Sequence, residues 1–127
     1  MATQRWKNQV TPYRKGILSE WLCGLILRAK GYRILEKRYK TPCGEIDLIA
    51  LKKQDLVFVE VKYRKIKNSD PIVFKRQLRR IEKSAQFYLK KVQVPLNIRF
   101  DIMLLIKGKM PQHFKDVYIE KERGPWI

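Results

Sequence analysis

The 127-residue chain is poor in the residues that most often carry chemistry. It has one histidine, His113, and two cysteines, Cys23 and Cys43, which form no CxxC pair. So few ligands cannot build a thiolate–imidazole zinc cage, and no Ser–His or Cys–His pair presents itself for acyl transfer. Both cysteines read as small residues in a reducing, cytoplasmic setting. Long apolar runs are missing too. The longest, Ile102 to Ile106, is about a strand long, against about 20 residues for a membrane span. The opening stretch, Met1 to Arg14, is polar and basic and lacks the apolar core of a secretory leader. Acids are scarce, 12 against 29 lysines and arginines, which leaves a net charge of +17.

That charge is far above the magnitude of about 2–8 usual for a soluble domain, and it attracts polyanions: DNA, RNA or an anionic membrane surface. The 45% hydrophobic content excludes a disordered basic tail. The length fits one domain. Residues 1–15, with Arg5, Lys7, Arg14 and Lys15, read as a flexible basic arm ahead of a single domain over 16–127.

Periodicity predicts a first helix over Gly16–Lys30. Leu18, Trp21, Leu22, Leu25 and Ala29 form its core stripe, and Ile17, Ile26 and Leu27 widen the stripe enough to need cover on more than one side. Gly31 is placed to cap it in the left-handed region, with Tyr32 folding back. Three strands follow: Tyr32–Tyr39, charged like an edge strand, then Glu45–Leu51 and Leu56–Tyr63. They are separated by a Thr41–Gly44 turn and the polar break 52–55. Asn68-Ser69-Asp70-Pro71 starts a second helix whose buried stripe is Leu78, Ile81, Ala85, Leu89 and Val92. Ile98 to Ile106 alternates as a fourth strand, and 114–119 reads as a fifth. The order gives an α/β fold: one mixed sheet flanked by helices, built on an α-β-β-β-α-β core.

The few acids are not scattered. Glu45 and Asp47 are two apart on one strand and share a face, with Ile46 and Leu48 on the other. Glu60 and Lys62 share a face of the next strand. A hairpin with aligned apolar faces brings Glu45, Asp47, Glu60 and Lys62 together. Like charges facing each other in a sheet repel, and a divalent cation resolves the conflict. Mg2+ takes oxygen ligands, one or two carboxylates plus waters and substrate phosphate, and a lysine beside it can orient water and stabilise the charged transition state. Spacing alone leaves a second reading open, an ordinary solvated strand face with a surface Glu60–Lys62 pair.

The segments Gly44-Glu45-Ile46-Asp47-Leu48-Ile49-Ala50 and Val57-Phe58-Val59-Glu60-Val61-Lys62-Tyr63-Arg64 strongly resemble the uncharacterised bacterial YraN-like family, uncharacterised protein family 0102. That family is grouped with the PD-(D/E)xK nucleases near the archaeal Holliday-junction resolvases. The resemblance covers about Gly16 to Ile106. It implies a restriction-endonuclease-like fold, Asp47 and Glu60 as metal ligands, Lys62 as the catalytic lysine and Glu20 as a first-helix acid brought to the metal. Glu45 matches the motif as a supporting acid. Ser19 and Cys23 stand where glycine and alanine are usual in the family, and both are small enough for close packing. Ile46, not proline, precedes Asp47. Arg99-Phe100-Asp101 also resembles a family segment, with Asp101 read as structural, pairing with Arg99 or a neighbouring strand.

Arg64, Lys65 and Lys67 follow the acid-bearing strand, and Arg76, Arg79, Arg80 and Lys83 gather on the second helix. Such residues position a phosphate backbone without reading sequence. The reading is a Mg2+- or Mn2+-dependent endonuclease acting on DNA rather than RNA, on branched or damaged structures. The alternative is a nucleic-acid-binding protein with the same fold and little or no hydrolysis. The sequence leaves oligomeric state open, a homodimer included.

Overall fold

The computed structural model describes residues 12–64 and 71–117, with side chains described for 16–64 and 78–117. Among the described residues two helices and five strands follow in the order α1 (Pro12–Ala29), β1 (Arg33–Thr41), β2 (Gly44–Lys52), β3 (Asp55–Arg64), α2 (Pro71–Leu89), β4 (Asn97–Ile106) and β5 (Gln112–Phe114). This is the predicted order. α1 starts at Pro12, a residue suited to the first helical position, so residues 12–15 are its first turn rather than part of an arm; residues 1–11 lie outside the described residues. The caps expected of Asn68 to Asp70 also lie outside them, while Pro71 does open α2.

α1 ends as its glycine dictates. Gly31 has a φ of 96°, the Tyr32 amide donates to the Leu27 carbonyl at 2.9 Å and the Gly31 amide to Arg28 at 3.0 Å, the pairing of a Schellman cap. This turns the chain into β1 with Tyr32 buried. The strands lie in chain order across one sheet. β1–β2, β2–β3 and β4–β5 are antiparallel, whereas β3 and β4 are parallel, and a parallel pair needs a crossover, which α2 supplies.

Each helix covers one face. On one side Cys23 and Leu27 of α1 pack with Leu48, Ala50, Val57, Val59, Met103 and Leu105. On the other Leu78, Ile81 and Ala85 of α2 pack with Ile49, Leu56, Phe58 and Ile102. The α2 stripe is the predicted one, and Leu89 and Val92 extend it. The α1 stripe is not. Ser19, Cys23 and Leu27 are buried, while Leu18 (60% exposed), Trp21 (57%), Leu22 and Leu25 face outward. Small residues at four-residue steps let the helix lie close to the sheet, and the bulky apolar residues are left on the far side. β5 comes earlier than expected and is shorter, ending before Asp116, whose φ is 59°. Among the described residues no helix is long and apolar enough to cross a membrane.

Candidate metal centre

β2 and β3 pair from Lys52↔Asp55 up to Leu48↔Val59 and there the pairing stops, although β1 continues alongside β2 to Thr41↔Gly44. The strands part at Asp47. Its Oδ2 accepts the Val61 amide at 2.8 Å, so a side chain takes the place of the next backbone acceptor. Alternation fails at the same point: Ile46 packs in the α2-side core and Leu48 in the α1-side core. The expectation that these two share a face is therefore corrected. Between the flanking pairs Lys37↔Leu48 and Tyr39↔Ile46 stands Arg38 with a φ of 52°. The irregularity therefore involves both strands.

The hairpin turn beside this fault is tightly held. The Thr41 hydroxyl takes amides from Cys43 and Gly44, each at 3.1 Å, and lies 2.9 Å from Ser84 Oγ of α2. Gly44 has a φ of 147°, and a Cβ there would sit 2.9 Å from Cδ of Arg80, so glycine is needed for both backbone and space.

Asp47 is the hub of the acids. Glu20 from α1, Glu45 and Asp47 each offer a carboxylate oxygen within 4.8 Å of one another. Glu60 also neighbours Asp47, closely enough for the Asp47 charge to act on it. Lys62 Nζ lies 2.5 Å from Glu60 Oε2 with both side chains nearly buried, so this is no solvated surface pair. Arg38 reaches Glu20 at 3.8 Å and Glu45 at 3.5 Å. All five residues singled out from the sequence for the site meet here, and Arg38 joins them; its strand position alone gave no sign of that.

The site is electrostatically frustrated. Burial holds the Glu60 carboxyl up at about 7, with the Asp47 charge adding to the effect and Lys62 opposing it. Burial also raises Asp47, against the donated Val61 amide. It raises Glu20 too, where Arg38 opposes and Glu45 reinforces the shift. Four carboxylates facing one guanidinium and one ammonium leave two uncompensated negative charges when all are ionised. That is the charge of one divalent ion. The donors are all oxygens, the set preferred by Mg2+ or Mn2+. Cys23 lies under the cluster, but burial and the acids push its thiol up to about 12, so it stays protonated and offers no thiolate. The donor set fits a hard divalent cation.

Of the basic residues expected to meet phosphate, Arg79, Arg80 and Lys83 are exposed on α2. The Arg80 methylenes lie against Gly44, next to Glu45. Arg64 is half-buried at the end of β3 and donates to the Tyr63 carbonyl at 3.0 Å. Lys65 and Lys67 lie outside the described residues, as does the side chain of Arg76.

The contacts of a second buried acid, Asp101, agree with the structural role expected of it. Asp101 takes two hydrogen bonds from Arg99 at 2.9 Å, the Asp116 amide at 2.9 Å and His113 Nε2 at 2.7 Å. Lys30 donates to His113 Nδ1 at 2.9 Å, which assigns the ring proton to Nε2. Arg99 also bonds the Tyr32 hydroxyl. Burial works to raise the Asp101 carboxyl, but the donated bonds outweigh it and hold the group below its ordinary value.

The model of uncharacterised protein family UPF0102 matches residues 19–105. A UPF0102 protein of Rhodopseudomonas palustris (strain HaA2) is 39% identical over 84% of this chain and 85% of its own length. One from Chelativorans sp. (strain BNC1) is 40% identical over 84% and 88%. Among solved structures, Hjc, a Holliday junction resolvase from the archaeal hyperthermophile Archaeoglobus fulgidus, is similar with a TM-score of 0.54 and 17% identity, covering 80% of this chain and 72% of that one. The likeness is one of fold, and the fold is restriction-endonuclease-like.

Proposed function

The chain belongs to uncharacterised protein family UPF0102, and from that membership and its acid cluster we propose that it is a metal-dependent endonuclease hydrolysing phosphodiester bonds in DNA. The observation that carries the proposal is the Asp47-centred group of half-buried like charges, with buried Glu60 and Lys62 beside it, at the point where β2 and β3 part. Folds rarely keep such repulsion without a ligand to relieve it. The resolvase fold of the neighbour favours branched DNA as substrate. Asp47 and Glu60, with Glu20 and Glu45, would hold Mg2+ or Mn2+; a bound ion supplies charge neutralisation and acidifies water. Lys62 orients the attacking water and offsets charge on the scissile phosphate. Arg64, Arg79, Arg80 and Lys83, with Lys65, Lys67 and Arg76, hold the backbone of a polyanion drawn in by the +17 field.

The outward stripe of Leu18, Trp21, Leu22 and Leu25 supports a homodimer, since so large an apolar patch on one helix suits an interface. The two unpaired cysteines support a reducing, cytoplasmic setting. We keep the assignment of a single domain, with its first helix beginning at Pro12 rather than Gly16.

The test is a panel of labelled four-way, duplex and single-stranded DNA and RNA, with Mg2+, Mn2+ or chelator. Cleavage of DNA should need the ion and fall about a hundredfold or more in Asp47→Asn and Lys62→Ala, while both variants still bind DNA. Binding without cleavage under any ion would leave a binding protein on a nuclease fold.

A further inference from the structure

Arg38 is at odds with the strand it stands in. It stands inside β1, where extended φ values are the rule, yet its φ is 52°. A bulky side chain adopts the left-handed region only where its surroundings hold it there. The acid cluster provides that hold. Nη1 lies 3.8 Å from Glu20 Oε1 and Nε 3.5 Å from Glu45 Oε1, and these two carboxylates complete, with Asp47, the group of oxygens within 4.8 Å. The guanidinium thus sits on the same acids that a cation would take, whereas Lys62 is engaged with Glu60. Its side chain is 31% exposed, so it has water to move into.

We infer that Arg38 is a resident counter-ion: it occupies Glu20 and Glu45 in the metal-free protein, and an entering divalent cation displaces it. The inference rests on the metal reading of the cluster given above. A hard cation ligated by these oxygens claims the lone pairs that now face the guanidinium, and its two charges repel the arginine. Arg38 therefore steadies the empty site at the expense of metal affinity. A merely structural arginine would do the reverse, since its loss would loosen the ligands and weaken the metal.

Titration calorimetry with Mn2+ on the full chain separates the two. In R38Q the metal-free protein should melt lower than wild type, and Mn2+ should bind about tenfold tighter. That is the size expected for removing one charge roughly 5 Å from a divalent ion in a water-like dielectric. R38K, which keeps the charge but not the reach, should fall between. R38G removes the charge while relieving the backbone, and serves if R38Q does not fold. Binding to R38Q or R38G equal to or weaker than wild type would overturn the inference while leaving the metal reading intact. No Mn2+ binding to any of these proteins would overturn both. Binding to the variants but not to wild type would support both in their strongest form.

Discussion

Glu60 and Asp101 are buried acids on adjacent parallel strands, one residue apart in register, and the fold treats them in opposite ways. Asp101 is met on every side by donors: the Arg99 guanidinium, the His113 ring N–H and the Asp116 amide. Its carboxyl is held below the usual range. Glu60 has one cation, Lys62, and faces another carboxyl, Asp47; its own carboxyl is held up at about 7. Burial alone therefore does not mark a functional acid. What separates the two is the sign of the neighbours. A buried charge whose partners come from its own chain is part of the scaffold, whereas one pressed against like charges needs a partner from outside.

The contrast breaks most directly on removal of each acid. In chelator, Asp101→Ala should cost about 3–5 kcal/mol, because among the described residues it leaves the Arg99 guanidinium with only the half-exposed Asp55 as a charged partner and takes the acceptor from His113 and the Asp116 amide. Asp47→Asn should leave the protein as stable as wild type or more so. Urea unfolding of both variants reads this out, and similar losses would erase the distinction.

Proton linkage sharpens it next. An acid raised in the folded state, as Glu60 is from 4.5 to about 7, adds stability that is complete below pH 4.5 and lost as pH rises through 7. The loss is at most about 3 kcal/mol. Asp101, lowered from 3.8, works the other way: its contribution is present above that pH and fades only as pH falls below it. Metal-free wild type should thus weaken between pH 5 and 7, and Glu60→Gln should flatten the slope. A slope unchanged in the variant would place the frustration elsewhere.

The smallest effect lies outside both clusters. Charge reversal at Arg79 and Lys83, exposed on α2, should lower the salt dependence of DNA binding by roughly 0.9 in log–log slope for each phosphate that is no longer neutralised. It should alter stability by less than about 0.5 kcal/mol. A salt dependence equal to wild type would remove this helix from the DNA-binding surface.

Much of this architecture was legible in the residues. Gly31 and Pro71 mark a helix end and a helix start, strict alternation marks β4, and the two acid-bearing motifs hold acids that the fold brings together. The buried face of α1 is not legible from hydrophobic size, which points to Leu18, Trp21, Leu22 and Leu25. Close approach of helix to sheet instead selected Ser19 and Cys23. The fault at Asp47 was hidden because face assignment presumes an unbroken period of two, and nothing in Tyr39 to Leu48 announces that a side chain will replace a backbone acceptor. Arg38 was missed for the same reason. His113 found Asp101 only through the β4–β5 pairing, which no local pattern encodes.

The central claim is that the Asp47 cluster is an incomplete site that a divalent cation completes. Thermal unfolding of wild type and Asp47→Asn, each in chelator and in millimolar Mn2+, tests it most directly. Wild type should gain several degrees by binding linkage, and Asp47→Asn should start at least as high and gain far less. Equal shifts in the two proteins, or none in either, would contradict the account.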